Sequence, residues 1–462
     1  MISLRDLCTG RRPVHIFCPM SIRFAAGAAA ALLAAAPISV AHAAPAPAPP
    51  QVLVGQSITD FYRNRNNAPL WLSPLAGDAA EQLIVVLSNA RADGLDPETY
   101  HVSSLNELVH RPWGKDRKGL LAADQQFSEA YVAYVRDLRR DPGLSIMYVD
   151  PQLRPTPPSA LAALLEAAMA PSLSNYVRTV GWMNPIYGEL RKALLAHNYA
   201  SDHDRELLEL NLQRARALPA GKGRFVLVNA AAQRLYMWEN ARPIDSMRVV
   251  VGKPKYPTPL ITAYIRFAAL NPYWYVPPDL ASERIAPNVL KQGLGYLNEL
   301  GYQVLSDWSP NAAIIDPKTI DWKSVADGKT EVLIRQLPGA HNSMGRMKFM
   351  FPNAAGVYLH DNPERELFEQ AARLYSGGCV RLEDASWLGR WLFGRELEWE
   401  GAGTEESVPL QTPVPVYITY LTAMPDDNGS SIAYFDDVYG RDAAKMAEAP
   451  GGGTVSSATA GR

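Results

Sequence analysis

The hydrophobic pattern of the chain changes at Lys222, and this change sets the expected fold class. Over residues 57–219, apolar residues recur at helical spacing, as in EQLIVVLSNARADGLD and DRELLELNLQRARAL. After Lys222, short runs alternate apolar and polar residues between the turn-like segments NAAA and ENARP, which is typical of strands joined by tight turns. The sequence therefore predicts an α+β protein, with a helical N-terminal domain over 57–219 and a β-rich domain over 220–442.

An insertion interrupts the predicted strands of the β-rich domain. Further strands are expected at 331–337, 356–360 and 414–423, but residues 271–330 combine aromatic residues with short helical stretches. A segment of this length inside a sheet domain either packs as a separate subdomain or covers a site as a lid.

The first 43 residues have the layout of a secretory signal peptide. Basic residues precede an apolar run at 24–40, and Ala-His-Ala at 41–43 forms an A-x-A cleavage site. A membrane anchor is the alternative, but the run is alanine-rich and is broken by Pro37. Met20 also starts a conventional signal, so it competes with Met1 as the true start.

Composition predicts that two segments lie outside the folded domains. The net charge also limits the expected partners. Residues 44–56 read as a Pro/Ala linker, and residues 443–462 read as a disordered tail. The net charge of −2 provides no basic field for nucleic acid. Export predicts a periplasmic or cell-envelope protein without a stable membrane span once the signal is cleaved.

One cysteine should survive in the exported protein. Cys8 and Cys18 lie in the predicted signal peptide, so Cys379 is left without a disulfide partner in an oxidising compartment. Such a thiol is intermolecular, buried and inert, or catalytic. One cysteine and no H-x-x-x-H or H-E-x-x-H spacing cannot supply a zinc site, and we expect no metal or organic cofactor.

The residues around Cys379 favour chemistry, although a small buried hydrophobe remains the alternative. His360 ends the predicted strand GVYLH, and a return loop could bring its imidazole to the thiol. Gly377 and Gly378 allow a sharp bend with uncovered N–H groups, as an oxyanion hole requires. Ser376 is a weaker nucleophile candidate, because LYSGG is not a G-x-S-x-G motif.

Several motifs together resemble one enzyme family. SGGCVR with the upstream YLHD is similar to the cysteine and histidine motifs of the YkuD-type L,D-transpeptidases, which cross-link peptidoglycan. NPYWYVPP resembles the start of their lid. ITDFYRNRNNAPLWL and ARADGLDPETY resemble the helical scaffold of the larger, YcbB-like branch. The peptidoglycan-binding module usual in that branch is not recognisable, because the scaffold passes almost directly into the catalytic domain.

The resemblance implies a role for each site residue. Cys379 would be the nucleophile and His360 its base, with the Asp361 carbonyl orienting the imidazole. The N–H groups of Gly378 and Cys379 would form the oxyanion hole. Substrate contacts are expected from a further set of residues, although core packing is the alternative for each aromatic member: Arg381, Ser376, Gly377, Tyr358, Trp274, Tyr275 and Asn342.

The implied activity is acyl transfer between two peptidoglycan stem peptides, one the donor and the other the acceptor. A cross-link between two third residues is favoured, and a first-to-third cross-link is the alternative, because Gly377 replaces a histidine found in many relatives. Transfer to water (an L,D-carboxypeptidase) or to an envelope protein remains open, as does a non-catalytic wall-binding scaffold. Carbapenems are expected to acylate Cys379.

Overall fold

Helices build the N-terminal part of the protein, and side-chain caps define where several of them begin. A computed structural model describes residues 51–309, 311–399 and 405–448. Ser159, Asn184 and Ser201 each accept a hydrogen bond from a backbone N–H in the first turn of the following helix. The helices are α1 (Gln51–Asn64), α2 (Ala79–Ser88), α3 (Val102–Val109), α4 (Arg117–Leu138), α5 (Ala160–Ala168), α6 (Leu173–Arg178), α7 (Pro185–Leu195) and α8 (Asp202–Ala215).

Two N-terminal predictions need correction. Residues 51–56, predicted as linker, are helical and open α1, because no proline follows Pro50 until Pro69. The predicted helical domain also contributes a strand, β1 (Met147–Tyr148), to the sheet of the following domain. The predicted signal peptide and the rest of the linker lie outside the described residues.

The β-rich domain is a sheet that closes on itself. Its strands run in the order β1-β5-β10-β11-β13-β4-β3-β2-β14, β14 pairs with β5 to close the path, and β12 pairs with β4. Closure leaves few free strand edges. These strands are β2 (Arg224–Asn229), β3 (Arg234–Glu239), β4 (Arg242–Gly252), β5 (Ile261–Leu270), β10 (Met347–Met350), β11 (Leu359–His360), β12 (Leu374–Ser376), β13 (Val380–Leu382) and β14 (Glu406–Thr419).

Alternate residues of the strands face two different cores. On β2, Val226 and Val228 point into the core enclosed by the sheet, whereas Phe225 and Leu227 join the core of the helical domain. The two-residue period of a strand explains this division. The helices therefore cover one outer face of the sheet, and a separate hairpin, β15 (Ala423–Pro425) with β16 (Ile432–Tyr434), lies beside them.

The insertion forms a subdomain with its own sheet and core. Its strands run in the order β6-β9-β7-β8, and Trp274, Ile285 and Ile334 are buried together. We call residues 274–336 the inserted subdomain. The strand predicted at 331–337 belongs here and not to the main sheet, because it pairs with β6 and β7. The elements are β6 (Trp274–Val276), α9 (Pro278–Leu280), a π-helical turn (Ala281–Ile285), α10 (Ala286–Gln292), α11 (Gly295–Glu299), β7 (Tyr302–Leu305), β8 (Ile314–Ile315), α12 (Trp322–Ala326) and β9 (Leu333–Gln336).

Two helices follow β13. Helix α13 (Ala385–Phe393) ends at Gly394, which has the left-handed conformation that glycine adopts readily. Helix α14 (Arg441–Glu448) corrects the predicted tail, since residues 443–448 are helical and only 449–462 lie outside the described residues. A buried ion pair between Asp442 and Arg214 of α8, 2.5 Å apart, holds the start of α14. Within the described residues, no helix combines the length and apolar character needed to cross a bilayer.

Candidate active site

The loop that carries Cys379 joins β12 to β13, and buried hydrogen bonds link it to the end of β4. Gly378 has φ +115°, which side-chain-bearing residues rarely adopt. Its carbonyl accepts a 2.9 Å hydrogen bond from Thr258 Oγ1, and the same hydroxyl accepts one from the Gly252 N–H at 2.9 Å. Thr258 is fully buried, so it ties the loop to the end of β4.

Ser376 forms two more hydrogen bonds within this loop, and one of them occupies an N–H group that was expected in the oxyanion hole. Its Oγ accepts from the Gly378 N–H at 3.1 Å and donates to the Cys379 carbonyl at 2.5 Å. The hydroxyl predicted to contact substrate is therefore used within the loop. The Gly378 N–H, expected to point at an oxyanion, is engaged by Ser376 in this structure.

Strand register places the candidate catalytic groups on one face. Strands β11 and β13 run parallel, with His360 opposite Arg381. Side chains two residues apart on a strand share a face, so Tyr358 and Cys379 lie on the same side as that pair. All four residues line one cavity of about 500 Å³ between the main sheet and the inserted subdomain.

His360 is held in one orientation. Its Nδ1 lies 2.6 Å from the Asp361 carbonyl, which can only accept, so Nδ1 carries the proton and Nε2 is left as the basic nitrogen. The side chain is buried, at 2% exposure. Burial first, and then the charge of Arg381, lower the pKa of His360 to about 3, so the imidazole is neutral at physiological pH.

Cys379 is half-buried and protonated at rest. Burial raises the pKa of its thiol to about 11, against weaker opposing effects from a Tyr358 backbone hydrogen bond and from Arg381. Its Sγ lies 3.8 Å from the Gly356 carbonyl. The resting site is therefore a thiol beside a neutral base, and a proton must leave the sulfur when it attacks.

Arg381 lies beside these groups and is already paired. Its guanidinium is 2.9 Å from a Glu364 carboxylate oxygen, and its side chain is only 12% exposed. Burial lowers its pKa, so the carboxylate is needed to stabilise the charge.

The two predicted substrate residues of β6, Trp274 and Tyr275, have different surroundings. Trp274 lines the cavity, but Tyr275, the next residue on β6, points to the opposite face, where it is 46% exposed. Its ring centroid lies 5.4 Å from that of Trp308. The prediction that Tyr275 lines the cleft is wrong, because neighbouring residues of a strand point in opposite directions.

Asn342 also fails as a cavity residue. It is 1% exposed, and its amide donates to the carbonyls of Pro272 at 3.0 Å and Leu337 at 2.9 Å. Its Oδ1 accepts from the Met344 N–H at 2.7 Å. These contacts hold the loop after β9 in place, so Asn342 supports the neighbouring cavity residues Ser343 and Met344 without lining the cavity itself.

Gly377 lies under the inserted subdomain. A Cβ at this position would be 3.4 Å from Leu280 Cδ1 of α9, which is ordinary van der Waals contact. Beside it, Glu283 pairs with Lys255 at 2.6 Å and accepts from the Tyr256 hydroxyl. The inserted subdomain thus contacts both the Cys379 loop and the loop after β4.

Several cavity residues are not predicted from the sequence. Lys253, Arg284 and Ser343 line the cavity, and so does Met344. A basic residue immediately after the strand VVVG was a usable signal for Lys253, since strand ends often carry site residues. Arg284 had no comparable signal, because ERIAPNVLKQG reads as an ordinary surface helix.

Comparisons with known proteins match two separate parts of this chain to two families. The Scaffold domain family matches residues 56–194, and the YkuD L,D-transpeptidase catalytic domain matches residues 223–416. A curated Haemophilus influenzae protein named "Putative L,D-transpeptidase" is 27% identical over 397 residues, covering 83% of this chain and 77% of that protein.

Two solved structures are also similar in part. "L,D-transpeptidase from Mycobacterium smegmatis" aligns at 14% identity and a TM-score of 0.23, over 43% of this chain and 59% of its own. "Structure of the Ldtfm-avibactam carbamoyl enzyme" aligns at 12% and 0.21, over 47% and 63%. Each match spans less than two thirds of the solved chain. From the two domain matches, this chain carries a YkuD L,D-transpeptidase catalytic domain that follows a Scaffold domain.

Proposed function

We propose that this enzyme cross-links peptidoglycan stem peptides by acyl transfer through Cys379. The observation that carries the proposal is the placement of Cys379 and His360 on one face of two paired strands, in one cavity. The Asp361 carbonyl leaves His360 Nε2 as the available base. Because a backbone carbonyl orients the imidazole where a carboxylate could have done so, this contact adds no negative charge to the site.

The first half-reaction forms a thioester. The Cys379 sulfur attacks a carbonyl carbon that follows an L-centre of the donor stem, while its proton passes to His360 Nε2. The tetrahedral intermediate then collapses, and the C–N bond to the D-residue breaks. The leaving amine takes the proton from His360, which restores the neutral imidazole.

The second half-reaction resolves the thioester. An amine of the acceptor stem attacks the carbonyl carbon and gives a proton to His360, and the C–S bond breaks. The sulfur regains the proton as the new amide forms. Water in the place of the amine would give a carboxypeptidase, and a lysine of an envelope protein would give protein attachment.

The developing oxyanion needs N–H donors from the Cys379 loop. We propose that the Cys379 N–H is one of them. The Gly378 N–H can contribute only if it exchanges its bond to Ser376 Oγ for the oxyanion. Ser376 is then a positioning residue for the loop and not a substrate ligand.

We further propose that the inserted subdomain acts as a lid over the donor stem. Trp274 lines the cavity from this subdomain and Tyr358 from the main sheet, which supports a two-sided peptide cleft. The division into a scaffold over 57–219 and a catalytic domain over 220–442, and export to the cell envelope by the N-terminal signal, are part of the same proposal.

The bond that is cut decides the cross-link type. A stem of L-Ala, D-Glu, diaminopimelate and D-Ala has an L-to-D junction after its third residue and another after L-Ala. We propose the third-residue donor, with the first-residue donor as the alternative. Tandem mass spectrometry of dimers from digested sacculi of expressing cells tests this. Dimers joined through the third-residue carbonyl are expected, and dimers joined only through the L-Ala carbonyl would overturn the assignment.

A further inference from the structure

Two cavities meet beside the candidate nucleophile. The larger, of about 500 Å³, contains Cys379, and the smaller, of about 380 Å³, lies on the other side of Arg381. Both cavities are lined by Arg381, Arg284 and Ser343. A peptide that extends from Cys379 into the smaller cavity therefore passes this junction.

Among the described residues, Arg284 is the cation at the junction that has no carboxylate partner. It lies on the π-helical turn of the inserted subdomain, a local irregularity that often marks functional positions. Within residues 51–309, 311–399 and 405–448, no carboxylate lies within 4.0 Å of its guanidinium, and its side chain makes no hydrogen bond. By contrast, Arg381 pairs with Glu364, and neighbouring Glu283 pairs with Lys255.

Cations outnumber carboxylates in the larger cavity, where Lys253, Arg284 and Arg381 accompany Asp279 and Glu283. In the smaller cavity, Glu364 and Glu366 balance the two arginines. Arg284 lies near enough to Arg381 that its charge contributes to lowering the Arg381 pKa, which is the effect of one cation on another. Glu364 neutralises one of these two charges. Lys253 adds a further cation to the larger cavity, where its Nζ lies over the Tyr256 ring rather than against a carboxylate. An anionic group placed between Arg284 and Arg381 would relieve this repulsion.

We propose that Arg284 binds a carboxylate of the donor stem peptide at this junction and thereby determines which donors the enzyme accepts. The inference rests on the proposed function and adds a specificity-determining residue to it. A guanidinium binds a carboxylate through two parallel hydrogen bonds, so it distinguishes a carboxylate from a neutral amide. Two carboxylates of the donor have the required chemistry: the terminal group of the D-residue that leaves, and the side-chain group of the third residue.

The test compares donors and variants in the first half-reaction. The full-length mature protein is incubated with three tetrapeptide donors: the unmodified one, one amidated at its C-terminus, and one amidated on the third-residue side chain. Thioester formation on Cys379 is followed by intact mass to give kcat/KM. Arg284→Gln removes the charge, Arg284→Lys keeps it, and Lys291→Gln removes an exposed charge from α10 that lines neither cavity.

For the unmodified protein, amidation of the recognised carboxylate should lower kcat/KM about tenfold, the effect of one charge-assisted contact at an exposed site. The donor that shows this loss identifies which carboxylate is bound. Arg284→Gln should process all three donors equally, at the rate of the amidated one, and Arg284→Lys should recover part of the preference. Lys291→Gln should behave as the unmodified protein.

If Arg284→Gln keeps the full preference for the unamidated donor, the inference is wrong although the transpeptidase proposal stands. An unmodified protein that does not distinguish the donors also overturns it. If no donor forms a thioester on Cys379, the proposed function itself fails, so the two failures are separable.

Discussion

At the scale of single residues, the site is defined by protonation states set by burial. Cys379 and His360 both lie where charge is poorly solvated, so the neutral thiol and neutral imidazole are favoured over a thiolate–imidazolium pair. The N-terminus of α13 is capped by Asp384, whose side chain accepts from the Trp387 N–H.

The pH dependence of thiol alkylation tests this assignment. A pKa raised to about 11 means that the thiolate fraction of Cys379 grows roughly tenfold for each pH unit between pH 6 and 10. The rate of iodoacetamide labelling at Cys379, read by intact mass, should rise accordingly without a plateau in this range. The Cys379→Ala variant provides the blank. A rate that is flat from pH 6 to 8 would instead indicate a preformed ion pair with His360.

At the scale of elements, the conformation of the Cys379 loop depends on Gly378 more than on the neighbouring Gly377. Gly378 has φ +115°, and Gly377 has no such constraint. Gly378→Ala should therefore destabilise the protein by roughly 1–3 kcal/mol and displace the thiol, which would lower the acylation rate. Gly377→Ala, whose methyl only touches Leu280, should leave both nearly unchanged. Denaturant unfolding and acylation kinetics of the two variants measure these effects, and equal behaviour would contradict the loop account.

The sequence predicted the local features of the site better than the contacts between residues that lie far apart in the chain. The strand-end position of His360 and the glycines before Cys379 were visible because they are local signals. The side of β6 on which Tyr275 lies was not, because it depends on which face of the strand meets the main sheet. The partners of β9 and the role of Arg284 likewise depend on contacts far apart in the chain, which periodicity does not record.

At the scale of the whole molecule, the helical domain is joined to the sheet by specific polar contacts. Strand β1 pairs with β5, and Asp150, just after β1, accepts from the Tyr264 N–H at 2.7 Å. On the other side, Arg214 of α8 pairs with Asp442 at the start of α14, and both side chains are more than 90% buried. The two-residue strand β1 could not be predicted, since so short a run has no periodicity.

Breaking the buried pair should test how far the two domains depend on each other. Arg214→Ala leaves the Asp442 carboxylate buried and unpaired, so the free energy of unfolding should fall by about 3–5 kcal/mol. Fluorescence and circular dichroism should still report one shared transition. Lys192→Ala, which removes the exposed pair with Glu189, should have little effect. An unchanged stability in Arg214→Ala would show that the domains are held together by other contacts.

The central claim is that Cys379 is the nucleophile of a cross-linking reaction, and product analysis with purified stem peptides tests it most directly. The protein and its Cys379→Ala variant are each incubated with tetrapeptide stems, after circular dichroism has shown that both are folded. The unmodified protein should yield a dimer that has lost one D-residue, together with a thioester adduct on the enzyme. Cys379→Ala should yield neither, because its half-buried side chain contributes little packing but all of the chemistry. A folded Cys379→Ala protein that still forms the dimer would contradict the account.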